Sequence, residues 1–263
     1  MDGVRLTHVG GPTVLVEVAG RRLLTDPTFD PPGRRWSFGW GSSSRKLTGP
    51  AVAAADLGPV DAVLLTHDQH ADNLDEAGRA LLASVGTVVT TPSAASRLGP
   101  NARGLRRWGT TELTAPGRPA IEVTATPARH GPPLSGPVVG EVTGFALRWA
   151  GQDDGVLWIS GDTVLFRGLR EVARRLRVDT ALLHLGRVRF GTTGPVGYTM
   201  TARDAVRLCR ELRPRTVVPV HYEGWSHFTE GREAAEREFA RAPDDVRRAV
   251  RWLPLGEAVG AVT

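Results

Sequence analysis

Ten residues, Thr66-His67-Asp68-Gln69-His70-Ala71-Asp72-Asn73-Leu74-Asp75, carry two histidines and three aspartates directly after the apolar run Ala62-Val63-Leu64-Leu65. Imidazole nitrogen and carboxylate oxygen are the donors that suit zinc, manganese or iron, and a tight loop lets several of them converge on one point. A polar turn with two solvated histidines is the plain alternative, since a short His/Asp cluster is a weak signal alone.

The other histidines favour the metal reading. Of seven, His67, His184 and His221 each end an apolar run (AVLLTH, TALLHL, TVVPVH), and His130 closes the extended stretch from Ile121 to Arg129. Ser160-Gly161-Asp162-Thr163 follows the strand-like Val156-Leu157-Trp158-Ile159 in the same manner. One histidine beside an apolar run is ordinarily a core residue. Four placed this way, with an aspartate, point to one edge of a sheet, where loops rest on a rigid scaffold and active sites collect.

The elements that must position them can be read from periodicity. Short strands with turn residues occupy the chain from Leu6 through Leu65, and helices alternate with strands afterwards. Asp72-Asn73 is expected to cap a helix from Leu74. Thr201-Ala202-Arg203-Asp204 reads as a capping box before a helix ending near Leu212, which yields to Pro214 and a strand over Thr216 to Val220. Thr28 to Pro50 is the longest irregular segment, and its Trp36, Phe38 and Trp40 either cover a substrate or pin the loop down. The order fits an α+β fold with two sheets face to face and helices outside. No linker, repeat or low-complexity tract divides the chain, so residues 1–263 are expected to form a single domain.

These motifs resemble the metallo-β-lactamase superfamily, and within it the branch of L-ascorbate-6-phosphate lactonase and N-acylphosphatidylethanolamine phospholipase D. The marks arrive in family order: Val14-Leu15-Val16-Glu17, Leu23-Leu24-Thr25-Asp26-Pro27, the THDQHADNLD loop, Arg129-His130-Gly131, Ser160-Gly161-Asp162-Thr163 and Val218-Pro219-Val220-His221-Tyr222. The resemblance implies a four-layer αββα sandwich. It also implies one metal on His67, His70 and His130 and a second on Asp72, Asp162 and His221, with Asp162 bridging. Asp26 would lie behind the ligands, where a carboxylate commonly fixes the tautomer of a ligating histidine.

The loop departs from the family pattern, Thr-His-x-His-x-Asp-His followed by Leu-Asp. Aligned on Thr66-His67, it has Gln69 where the second histidine belongs; aligned on Leu74-Asp75, it has His70, Asp72 and Asn73 at the His, Asp and His positions. One inserted residue reconciles the two, with His70 as ligand and Gln69 a neighbour or a weak oxygen ligand. Asn73 replaces the last histidine with a poorer donor, so the second metal position is expected to be the weaker.

Composition agrees. The chain has 263 residues, 41% of them apolar and 23% charged, which are globular values. No apolar run is long enough to span a membrane, and the N-terminus lacks the basic and apolar regions of a signal peptide, so a cytoplasmic location is expected. The single cysteine, Cys209, permits no internal disulfide and no thiolate metal site, and its spacing from Ala202, Ala205 and Leu212 places it in a helix core. The formal charge of +5 comes with one lysine, Lys46, and scattered arginines rather than a basic block, so no nucleic-acid partner is expected. Arg167, Arg170, Arg174, Arg175 and Arg177 read as a solvated helix face.

The expected chemistry is metal-dependent hydrolysis of a small-molecule lactone, amide or phosphoester, with one or two divalent ions, zinc foremost and manganese or iron next. A bound metal lowers the pKa of water from about 15.7 to about 7, which makes hydroxide the nucleophile. Asp72 and Asp162 can accept its proton, His184 can protonate the leaving group, and Tyr222 and His227 can contact substrate. Gly-x-Ser-x-Gly, Walker A and dinucleotide glycine signatures are absent. The competing expectation is a binding or pathway protein of the same fold, in which Gln69 and Asn73 mark a degraded metal site.

Overall fold

The computed structural model describes residues 3–39 and 41–260, so Trp40 lies outside the described residues. Two sheets stack face to face. The first has seven strands in the order Ala258–Gly260, Arg5–Gly10, Thr13–Val18, Arg21–Thr25, Ala62–Leu64, Val88–Thr90 and Ala102–Gly104. The second has six, in the order Thr216–Val220, Val178–His184, Val156–Ile159, Thr143–Trp149, Arg118–Pro127 and Thr110–Ala115. Alternation sorts the side chains: Leu157 and Ile159 enter the core between the sheets, while Trp158 faces the outer helices. Strands covered on both faces read as the continuous apolar runs seen in the sequence.

Helices Arg167–Arg175, Ala202–Leu212, Arg232–Ala240 and Asp244–Ala249 cover the second sheet through Leu169, Leu208, Phe239 and Val246. Helix Glu76–Leu81 and the turn Leu82–Ser84 cover the first, where Leu74 and Leu82 pack on Leu24 and Val63. The result is the expected four-layer αββα sandwich. Thr201 and Asp204 form the expected capping box, and Cys209 is buried in the helical layer, where burial pushes its thiol up to about 12. Among the described residues no helix is long and apolar enough to cross a membrane.

Strand direction explains the shared edge. Thr143–Trp149 pairs antiparallel with both Arg118–Pro127 and Val156–Ile159, and Val156–Ile159, Val178–His184 and Thr216–Val220 are parallel. Four strands therefore run the same way, and the residues after them, His130, Asp162, His184 and His221, emerge on one side. The first sheet is tied to that edge by hydrogen bonds from Thr143 N to Thr66 O (3.1 Å) and from His221 N to Gly11 O (2.8 Å).

Two expectations need correction. The segment from Thr28 to Pro50 is not irregular throughout, because it contains an antiparallel hairpin of Arg35–Gly39 and Ser42–Arg45. The cap of the following helix is Asp75, not Asp72-Asn73. The loop closes with the amides of Asn73 (3.1 Å) and Leu74 (2.9 Å) on His70 O, which leaves the side chains of Asp72 and Asn73 for other partners.

Asp75 joins the hairpin segment to this loop. Its carboxylate accepts from Gly78 N (2.8 Å), Phe29 N (2.9 Å), Asp30 N (2.7 Å) and the ammonium of Lys46 (2.7 Å), and Lys46 is only 3% exposed. Asp75→Ala would strand a buried cation and three amides, so we expect a loss of about 3–5 kcal/mol in urea unfolding. A loss below about 1 kcal/mol would show the lysine reaching water instead.

Candidate metal centre

The histidine cluster is set by a chain of hydrogen bonds that starts at Asp26. Its carboxylate is fully buried and accepts from Thr66 N (2.7 Å) and Thr66 Oγ1 (3.0 Å). With its proton on Asp26, the Thr66 hydroxyl accepts from His67 Nδ1 (3.1 Å), so the neutral ring of His67 presents a bare Nε2. His130 is fixed in the same sense, because its Nδ1 donates to the carbonyl of Tyr198 (2.8 Å). Both bare Nε2 atoms lie 3.0 Å from His70 Nδ1. His70 can offer one proton to two lone pairs, so the three rings together are short of a positive centre.

A second group stands beside the first. His221 Nε2 lies 3.4 Å from Asp72 Oδ2 and 3.5 Å from Asp162 Oδ2, and Asp162 Oδ2 is 4.0 Å from His130 Nε2. In each triad, His67-His70-His130 and Asp72-Asp162-His221, the donor atoms all lie within 4.8 Å of one another. Asp72 Oδ1, Asp162 Oδ2 and His221 Nε2 are buried with no hydrogen-bond partner among the described residues. Unpaired buried carboxylate oxygens are costly, and a divalent cation answers both the missing partners and the charge. The donor set fits zinc, manganese or iron.

Burial and charge oppose each other here. Burial raises Asp26 to about 7 against the hydrogen bonds from Thr66. Burial alone would lower His221, but the carboxylates of Asp162 and Asp72 raise it to about 9. Burial would raise Asp72, yet the imidazoles of His221 and His227 beside its carboxylate hold it well below the usual carboxylate range. Burial lowers His70 and His184 to about 3, and it also lowers His8 and His67.

The last four carry a consequence for the metal-free protein. An unfolded chain takes up protons on these histidines as pH falls below about 6.5, while the folded chain refuses them, so stability falls from there down toward pH 3. Asp26 and Glu230 act in the opposite sense, since burial raises both folded carboxyls, Asp26 to about 7, so that each holds a proton the unfolded chain has released, but they are two groups against four. Urea midpoints of chelator-treated protein should therefore drop steadily between pH 6.5 and pH 4.5. A flat or rising profile would contradict burial of these rings in the neutral form.

Gln69 is exposed and packs against Gly140, where an added Cβ would come 2.2 Å from Gln69 Nε2. His70 turns inward instead. Asn73 donates to Asp162 Oδ1 at 3.4 Å, so it meets the second triad through its amide nitrogen.

A cavity opens above both triads, with His70, Asp72, His130 and His227 at its polar end. Its walls are Phe38 from the hairpin, with Val139, Val188, Phe190 and Tyr198. His227 is held by Asp72 Oδ2 on Nε2 (3.0 Å) and Ser44 Oγ on Nδ1 (2.5 Å), and it stacks on Phe190 with centroids 4.9 Å apart.

Two expected substrate-facing residues are elsewhere. His184 is 0% exposed, and its Nε2 lies 3.3 Å from Asp26 Oδ2, so it sits behind the two triads and not on the cavity wall. Tyr222 is buried edge-on to His8 and Trp252, and burial pushes its hydroxyl up to about 12. Both sit where the chain leaves a strand for the edge, but their side chains face the interior. Phe190 and Tyr198 were missed as wall residues. No local pattern in the sequence marks either ring as facing the centre.

The beta-lactamase superfamily domain profile matches residues 21–222. A UPF0173 metal-dependent hydrolase from Caldivirga maquilingensis is 30% identical over 257 residues, covering 92% of this chain and 96% of that protein. Among solved structures, an isothiocyanate hydrolase from Delia radicum gut bacteria superposes with a TM-score of 0.78 at 22% identity, covering 97% of this chain and 98% of the other. Igni18, a metallo hydrolase from Ignicoccus hospitalis, superposes with a TM-score of 0.68 at 23% identity over 98% of both chains. These two share the fold.

Proposed function

Because the chain is a metal-dependent hydrolase of the beta-lactamase superfamily, we propose that His67, His70 and His130 hold one divalent metal and that Asp72, Asp162 and His221 hold a second, with Asp162 between them. The observation that carries this reading is the pair of triads, each with donor atoms within 4.8 Å of one another, side by side beneath one cavity. Zinc is the first candidate, with manganese and iron next. Residues 1–263 are read as one domain built around this centre.

Bound there, the metal supplies water that ionises near neutral pH and polarises the carbonyl or phosphoryl oxygen of a lactone, amide or phosphoester. The protein supplies position and proton traffic. Asp72 or Asp162 accepts the proton of the attacking water. Thr66 and the Tyr198 carbonyl hold His67 and His130 in the tautomers that present Nε2. His227, the remaining imidazole on the cavity wall, faces the leaving group in place of His184. His184 instead steadies Asp26 behind the ligands. Asn73 contributes no imidazole, so the second metal is expected to dissociate first.

Reconstitution with zinc, manganese or iron, followed by elemental analysis and a screen of lactones, aryl esters, amides and phosphodiesters, tests the reading. At least one metal per chain is expected, with turnover well above the metal-free control. Less than about 0.2 metal per chain after reconstitution would sink the ligand assignment. Full loading without turnover on any of these substrates would favour the binding protein.

A further inference from the structure

We propose that the part of the substrate lying in the cavity, beyond the bond that is cleaved, is uncharged and aromatic or apolar, which rests on the hydrolase reading above and narrows its substrate class. The chain holds 33 lysines and arginines, about one residue in eight, yet none of the described residues lining the cavity is one of them. Of the arginines next to wall residues, Arg189 donates to Gly194 O (3.1 Å), Arg129 lies over the Phe166 ring at 4.8 Å and Arg187 is exposed, while Arg35 in the hairpin donates to Ser43 Oγ (2.8 Å). A pendant phosphate or carboxylate is ordinarily met by an arginine fork, a lysine or a helix N-terminus. Here the charged side chain on the lining is the carboxylate of Asp72.

The walls are built of rings. Phe38 lies 5.3 Å from Phe190 and 4.9 Å from His227, centroid to centroid, and Phe190 meets Tyr198 edge-on at 6.1 Å. Trp225 backs Phe38 at 5.8 Å, which steadies the hairpin tip over the opening. Flat apolar groups gain from such walls by burial and by edge and face contacts with the rings. The metals would meet the reacting oxygen, so their charge does not recruit a second anionic group to the far end of the cavity.

Dihydrocoumarin is a suitable probe. Water oxygen bonds to its acyl carbon, the ring acyl C–O bond breaks, and the phenolic oxygen keeps the electron pair and takes a proton, giving a hydroxyphenyl propionic acid. Its ring-sulfonated derivative has the same reacting bond and an added charge, and sulfonate is a poor metal ligand. Chroman and ring-sulfonated chroman, which lack the carbonyl, report binding alone.

With zinc-loaded protein, chroman should bind at least tenfold more tightly than its sulfonate by ligand-observed NMR, and dihydrocoumarin should show the lower KM. Phe38→Ala and Phe190→Ala should each raise KM by about three- to tenfold with kcat little changed. Phe38→Leu should recover part of the loss, and Phe190→Arg should narrow the gap for the sulfonates. Equal or tighter binding of the sulfonate, or a KM and Kd unmoved in both alanine variants, would overturn the proposal. If the chromans follow the expected order but neither lactone turns over, the lactone reading of the hydrolase fails and the ligand class stands.

Discussion

Asp162→Ala and His221→Ala are expected to abolish hydrolysis while leaving the chain folded. A lost metal position removes several kcal/mol of transition-state stabilisation, on the order of a 10³-fold or larger fall in kcat/KM. The fold should survive because neither side chain belongs to the apolar clusters that hold the layers together. Asp162 makes one long hydrogen bond, from Asn73 at 3.4 Å, and its other oxygen has no hydrogen-bond partner among the described residues. Elemental analysis, near-UV circular dichroism and kcat/KM on the best substrate check the claim. Wild-type metal content together with wild-type rate in either variant would refute it.

The second large effect concerns the loop. His70→Ala should lower affinity for the first metal by at least the 10–100-fold typical of a lost partner behind the ligands, whereas Gln69→Ala should change it little. The ranking follows from placement: His70 Nδ1 is 3.0 Å from both neighbouring imidazoles, and Gln69 is exposed against Gly140. Competition with a chromophoric chelator reads both affinities. The opposite ranking would mean that the loop turns over when metal binds and that Gln69 is the ligand.

Much of this centre was legible because its signals are local. A histidine ending AVLLTH or TVVPVH must appear at a strand end whatever the rest of the chain does, since strand formation follows from the run itself. The inward placement of His70 was legible for the same reason, as two fixed points, Thr66-His67 and Leu74-Asp75, bracket the loop. The capping box at Thr201 and the core helix of Cys209 are likewise local. The cap at Asp75 was not legible, because Asp72 and Asn73 are equally good capping residues and are withdrawn only by the site that they face.

His184 and His227 mark the boundary. By sequence both are histidines near a strand end, and nothing local distinguishes them. Pairing decides, because His184 ends a strand flanked by Thr216–Val220 and Val156–Ile159, and its ring drops behind the ligands onto Asp26. His227 lies six residues beyond His221, and contact with Ser44 of the hairpin and with Phe190 brings it over Asp72. The amino-acid sequence by itself determined the types and order of the side chains in the two triads and the strands that deliver them, since these depend on near neighbours along the chain. Only the tertiary structure decided which side of each strand end faces the cavity and which distant rings enclose it. Those outcomes depend on the direction of four strands and on the packing of a hairpin more than 140 residues before its partners Phe190 and His227.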